Sequence, residues 1–189
     1  MLNGPEQNTD NPRHEDNNFL KYGYGSEQKE LGDRLENVLS SGSINVVTET
    51  SHIYGQRLTA YIVGLTNTKT LNEWISGIRS PSQEDLIRLG IALDFAHAMR
   101  DEQETDSVIS ALFMGEKPQF NDADMASALR TVEPQDLMLI HSAFTQIVED
   151  VRLGLGYSAR KVYPGMEKYF PEPQDPALHH ILAAHNPKN

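Results

Sequence analysis

Apolar residues recur every three or four positions along most of the chain between residues 26 and 153. This spacing is typical of amphipathic helices, because about 3.6 residues complete one helical turn. Residues 44–54 are rich in β-branched side chains, but no neighbouring segment offers a strand partner, so a short helix is favoured there too. The pattern predicts an all-α fold with helices at 26–41, 44–54, 57–65, 68–76, 82–99, 107–114, 122–130 and 134–153.

The predicted helices at 57–65 and 68–76 form the pattern of a helix-turn-helix. The first ends near Gly64, a residue that can adopt the positive φ of a sharp turn. The distance from Gly64 to the tryptophan is one residue longer than in the common motif, so an enlarged turn is expected. The second helix ends at Gly77, and its apolar side chains at i, i+3 and i+4 face the core: Leu71, Trp74 and Ile75.

The boundaries of this motif are predicted from capping chemistry. Thr66 or Thr68 is the expected N-terminal cap of the second helix. The following helix opens at Ser82, three residues before Asp85, which matches a variant of the capping box. Four apolar side chains of the first helix are expected to face inward: Leu58, Tyr61, Ile62 and Leu65.

Polar and cationic side chains on and beside the second helix match the chemistry of DNA recognition. Base reading needs exposed donors and acceptors near the N-terminus of a helix, and phosphate binding needs cations or free backbone amides at its flanks. Helix-turn-helix geometry also occurs as a plain packing unit, so a purely structural role is the alternative. The candidate contacts are Asn67, Thr68, Lys69, Thr70 and Asn72 for the bases, and Arg57 and Arg79 for the phosphates.

Net charge changes sign along the chain. All 189 residues together carry −11, whereas residues 51–100 carry +1 and residues 101–150 carry −9. Within the first 150 residues, the predicted motif therefore lies in the segment whose net charge is least repelled by phosphate. With so few cations, a monomer is expected to bind DNA weakly and with strong salt dependence, so useful affinity needs a dimer, a tandem array or a partner. The acidic segment suits a solvated surface or a basic partner.

Composition excludes several other kinds of site. The absence of cysteine rules out disulfides, thiolate metal sites and catalytic thiols. The seven histidines lack the i, i+4 spacing of a helical metal site, and no nucleophile or phosphate-loop motif is present. We therefore expect no enzyme activity, no metal and no cofactor. No apolar run approaches the roughly 20 residues that span a bilayer, and the polar N-terminus is unlike a secretory signal, so a cytosolic protein is expected.

The chain divides into four predicted regions. A flexible N-terminal arm is expected at 1–25 and a helix-turn-helix DNA-binding domain at 26–100. A small helical region for dimerisation or partner binding follows at 101–155. The remaining residues, 156–189, form a tail rich in tyrosine and proline, expected to be flexible at its end.

Two segments carry a resemblance to a known family. Leu71–Gly77 has an apolar residue, a tryptophan and a glycine at the spacing Leu-x-x-Trp-x-x-Gly, and a helix opening with Pro81-Ser82 follows. Residues 111–129 combine an apolar helix, a proline-containing turn and a further short helix. From about residue 44 to 150 the chain thus resembles the Xre/MbcA/ParS-type antitoxins of bacterial toxin–antitoxin pairs. The resemblance implies an all-helical, lambda-repressor-like, usually dimeric DNA-binding protein whose partner is often a RES-fold toxin that consumes NAD.

Three functions stay open on this basis. The first expectation is a homodimeric, sequence-specific DNA-binding transcriptional regulator of the Xre-like class. An antitoxin is the first alternative: it would neutralise a RES-type toxin by direct binding through residues 101–150 and the C-terminal tail, and would autoregulate its operon. A protein-binding adaptor that no longer binds DNA is the second.

Overall fold

The chain folds into helices joined by short turns. The computed structural model describes residues 26–154 and 162–171, with side chains from residue 29 onward. The predicted flexible arm at 1–25 lies outside these residues, as do 156–161 and 172–189 of the predicted tail at 156–189. Within the described ranges the elements are α1 (Ser26–Leu39), α2 (Ser43–Tyr54), α3 (Gln56–Ile62), α4 (Lys69–Ile75), α5 (Gln83–Asp101), α6 (Asp106–Met114), a 3-10 turn (Pro118–Phe120), α7 (Met125–Thr131), a second 3-10 turn (Pro134–Asp136) and α8 (Leu137–Arg152).

The predicted all-α class is confirmed, and each predicted helix has a counterpart. The ambiguous segment at 44–54 is helical, as α2. The capping box at the start of α5 is present: the Ser82 hydroxyl accepts from the Asp85 amide, and the Asp85 carboxylate accepts from the Ser82 amide. Pro134 begins a 3-10 turn rather than the first turn of α8.

The long helix α5 forms the centre of the molecule. It packs against α1, α2, α6 and α8. An amphipathic helix with one apolar stripe was predicted here, yet α5 is buried on nearly all sides from Arg88 to Ala96. Gly90 lies where α1 crosses α5, and a Cβ atom at this position would stand only 2.7 Å from Leu39 Cδ2. The small residue therefore permits the close approach of the two helices.

Aromatic side chains fill the space between α5, α6 and α8. The rings of Phe95, Phe113 and Phe144 contact one another with centroid separations of 5.6 to 5.9 Å. The Tyr54 ring lies 4.6 Å from that of Phe113, and its hydroxyl donates to the carbonyl of Ala92 at 2.8 Å. Burial is the main reason why the pKa of Tyr54 is raised well above its usual value.

One core includes side chains from both sides of residue 100. Arg88 of α5 donates to the carbonyls of Leu129 and Val132, at the C-terminal end of α7. A cation at this position satisfies carbonyls that have no partner within the helix. Residues 162–171 also join the core, since Phe170 packs on Phe120 with a centroid distance of 5.6 Å. Among the described helices, none combines the length and apolarity needed to cross a bilayer.

Candidate nucleic-acid interface

Helices α3 and α4 are connected by six residues, 63–68. A common helix-turn-helix uses three or four residues at this point, so the turn is enlarged, as the sequence predicts. Gly64 adopts a φ of +74° and Gly77, just after α4, a φ of +72°. The left-handed conformation was expected of Gly64, and Gly77 adopts it as well; both glycines follow the ends of short helices.

Two buried side chains fix α4 on the body of the protein. Leu71 is fully buried and Trp74 is 5% exposed, while Ile75 is half-buried. All three face inward as predicted, and α4 packs mainly against α2. Burying these side chains on one face of a seven-residue helix leaves the opposite face exposed.

The N-terminus of α4 is capped by Asn67. Its side-chain oxygen accepts a hydrogen bond from the backbone amide of Lys69 at 2.9 Å. Thr66 or Thr68 was predicted in this role, but Thr68 has a helical φ and ψ and makes no capping bond with its side chain. The cap therefore lies between the two predicted positions, because the enlarged turn brings Asn67 over the first turn of the helix.

Two amide side chains meet where α3 and α4 approach each other. Gln56, the first residue of α3, donates from Nε2 to Oδ1 of Asn72 at 3.0 Å. Both side chains are exposed. Within the described residues their other amide atoms take part in no hydrogen bond. The pair is therefore joined by one hydrogen bond and exposes its remaining donors and acceptors to solvent. Gln56 was not among the predicted contacts. The signal that could have identified it is an amide side chain at the first position of the helix that precedes α4.

The exposed face of α4 borders an open depression of about 490 Å³. Lys69, Asn72, Glu73 and Ser76 follow each other at i, i+3, i+4 and i+7, and so share this face. The structure brings together most of the predicted base-reading residues here. Lys69 and Asn72 are exposed, as is Asn67, which is engaged as the cap, whereas Thr68 and Thr70 are half-buried.

The two predicted phosphate-binding arginines are both exposed, one on α3 and one after α4. Arg79 follows α4, is 67% exposed in its side chain, and has Nε 3.3 Å from Oε2 of Glu73. Arg57 is exposed on α3 and borders a second depression of about 500 Å³, which also includes Thr68. Thr68 lines both depressions, so the two adjoin at the N-terminus of α4.

One side chain of α3 does not face inward as predicted. Tyr61 is 38% exposed, and its hydroxyl lies 3.1 Å from the hydroxyl of Ser127 on α7. Arg130 places its guanidinium carbon 4.5 Å from the centre of the Tyr61 ring. Thr59, Ala60 and Ile62 fill the inner face instead. The prediction was wrong because Tyr61 contacts α7, which packs beside α3. The local pattern of apolar residues cannot indicate a partner so distant in sequence.

A buried polar group away from α4 was also missed. Asp94 of α5 accepts from Arg34 at 2.6 Å and lies 2.8 Å from Nε2 of His141, which is only 1% exposed. Asp94 thus connects α1, α5 and α8, and we interpret its role as structural. Among the described residues, no group of three or more His, Asp or Glu side chains is arranged to hold a metal ion.

Comparisons of this chain with protein-family models, with curated proteins and with solved structures return no match.

Proposed function

We propose that this protein is a sequence-specific DNA-binding transcriptional regulator, acting as a homodimer, and that the exposed face of α4 reads the bases. The observation that carries the proposal is the Gln56–Asn72 amide pair on that face, flanked by Arg57 and Arg79. Asparagine and glutamine recognise adenine in the major groove with paired donor and acceptor atoms. An amide already held by a neighbour is oriented before the DNA arrives.

The charges around α4 support a positioning role for its flanks. Lys69, Arg57 and Arg79 are exposed cations near the helix, and Glu73 is a carboxylate on the same face. Glu73 contacts Arg79 at 3.3 Å. DNA phosphates would compete for this arginine, because exposed ion pairs of this kind contribute only about 0–1 kcal/mol.

The small number of cations supports a homodimer, although a tandem array or a partner would serve the same purpose. Three positive side chains neutralise few phosphates, so one copy of α4 binds weakly at physiological salt. Two copies on one duplex would double the number of contacts, and a two-fold symmetric dimer would read two half-sites.

Selection from a random duplex library, followed by fluorescence anisotropy over a salt series, tests this proposal. The full chain should enrich a common sequence. The Lys69→Ala/Arg79→Ala variant should bind it more weakly, with the slope of log affinity against log salt reduced by about 2 per protomer. The matched control, Lys29→Ala/Arg152→Ala, removes two exposed cations outside α4 and should bind like the unmodified chain. No enrichment and no binding at low salt would reject DNA recognition and favour the adaptor alternative.

A separate observation favours the antitoxin alternative. Val108 and Met114 of α6 are large apolar side chains that are 39% and 49% exposed. Val108 borders a depression of about 430 Å³ within the acidic 101–150 segment. Met114 borders the separate depression that includes Arg57 and Thr68, so a protein partner such as a RES-type toxin would contact both sides of α6.

Co-expression with the product of the neighbouring gene tests this alternative. The Val108→Asp/Met114→Asp variant should lose a copurifying partner, because each carboxylate would be buried without a counter-charge. Leu153→Asp, at an exposed apolar residue outside α6, is the matched control and should retain the partner. If both variants retain the partner, or if none copurifies with the unmodified chain, α6 is not a toxin-binding surface.

A further inference from the structure

A cavity of about 370 Å³ lies between α1, α5 and the start of α8, away from α4. Its size is within the range of roughly 300–1,000 Å³ that is typical of small-molecule sites, and a gap between bundle helices is a common location for them. Its walls are mainly apolar, with two side chains from each helix: Leu35 and Leu39, Leu86 and Ile87, Leu137 and Met138.

The cavity stays open because of two glycines. Gly32, buried on α1, lines the wall and contributes no side chain to fill it. The side chains of Leu35 and Leu39 lie against Gly90 on α5: a Cβ atom at Gly90 would lie within 3 Å of both. The two leucines therefore pack along the helix crossing and do not close the gap beside it.

Charge around the cavity favours a cation. Glu36 carries the only formal charge among the lining side chains, and no ion pair within the described residues involves it. Two cations on these helices are engaged elsewhere, since Arg34 of α1 contacts Asp94 and Arg88 of α5 contacts Glu84, and Lys29 of α1 does not line the cavity. Gln83 and Gln135 add neutral amides to the lining.

We propose that this cavity binds a small primary amine, whose short apolar body lies among the leucines and whose ammonium group pairs with Glu36. The C-terminal end of α1 and the N-terminal ends of α5 and α8 all border the cavity, so their partial charges are of opposite sign and Glu36 alone sets the sign of the ligand. A carboxylate ligand of equal size would meet Glu36 and be repelled. The site is separate from the α4 surface, so it stands or falls independently of DNA binding.

Titration of the full chain with n-hexylamine, followed by NMR of the leucine, isoleucine and methionine methyl groups, tests the proposal. Shifts should appear at the cavity methyl groups, and n-hexylamine should bind at least about threefold more tightly than 1-hexanol, with hexanoate weakest. Glu36→Gln should remove the preference for the amine over the alcohol. Glu30→Gln, at an exposed carboxylate on α1 outside the cavity, is the matched control and should preserve it.

A second variant tests the location. Gly32→Leu places a side chain in the cavity and should abolish the methyl shifts at every ligand concentration. Glu36→Gln decides the question alone if Gly32→Leu fails to fold. No shifts at millimolar n-hexylamine, equal binding of the amine and hexanoate, or unchanged binding by a folded Gly32→Leu variant would each overturn the proposal.

Discussion

Asp94 is the residue through which three helices are tied together. Burial, the largest single influence, raises the pKa of its carboxyl group, but the hydrogen bonds and charges of His141 and Arg34 together outweigh it and hold the pKa below its ordinary value. The sequence did not predict this cluster. Its members are 47 and 60 positions apart along the chain, and helical periodicity indicates which side a residue faces but not which residue it meets.

Replacing Asp94 by asparagine should lower the free energy of unfolding by about 3 kcal/mol at neutral pH, because Arg34 and His141 lose their shared anion. Denaturant unfolding measures this change. Asp33→Asn, at an exposed carboxylate on α1, is the control and should change stability by less than about 0.5 kcal/mol. Equal effects of the two substitutions would show that the cluster does not stabilise the fold.

The same variant carries a pH dependence whose sign follows from the lowered pKa. In the unfolded chain the pKa of Asp94 is about 3.9, which is above its value in the folded protein. The contribution of Asp94 to the free energy of unfolding is therefore complete above about pH 3.9 and is lost as pH falls through the folded pKa. The stability difference between the unmodified chain and Asp94→Asn should therefore be largest above about pH 5 and shrink in more acidic solution. A difference that grows on acidification would contradict the assignment.

At the scale of the elements, the sequence predicted where helices form better than what they contact. The burial of Trp74, the positive φ of Gly64 and the end of α4 near Gly77 were predicted correctly, because they depend on local properties of the chain. Tyr61 and the all-round burial of α5 were not predictable in this way, since both depend on helices that are distant in sequence. The cap of α4 was displaced by the enlarged turn, whose conformation no local rule specifies.

The capping box of α5 gives a test at this scale. Ser82→Ala should destabilise the protein by about 1 kcal/mol and lower Tm by roughly 2–4 °C, because the amide of Asp85 loses its acceptor. Ser80→Ala, two residues earlier and exposed, is the matched control and should leave Tm unchanged. If the thermal unfolding curve of Ser82→Ala coincides with that of the control, the capping box does not stabilise α5.

For the whole molecule, the distribution of charge orients any encounter with DNA. The acidic segment 101–150, with a net charge of −9, repels phosphate, whereas residues 51–100 carry +1 and contain α4. The sequence alone indicated this asymmetry and the candidate residues. It did not indicate the Gln56–Asn72 pair or the half-buried state of Thr68 and Thr70, because these depend on how α3 and α4 are held against α2 and α7.

The most direct test of base reading by α4 is the ratio of affinities of Asn72→Ala for a selected duplex and a scrambled duplex. The account predicts that this ratio falls by about 10- to 100-fold while binding to the scrambled duplex hardly changes, because an amide that contacts a base contributes about 1–3 kcal/mol of discrimination. Asn37→Ala, at an exposed asparagine on α1, should keep the ratio of the unmodified chain. A ratio unchanged in Asn72→Ala would contradict the claim that α4 reads DNA.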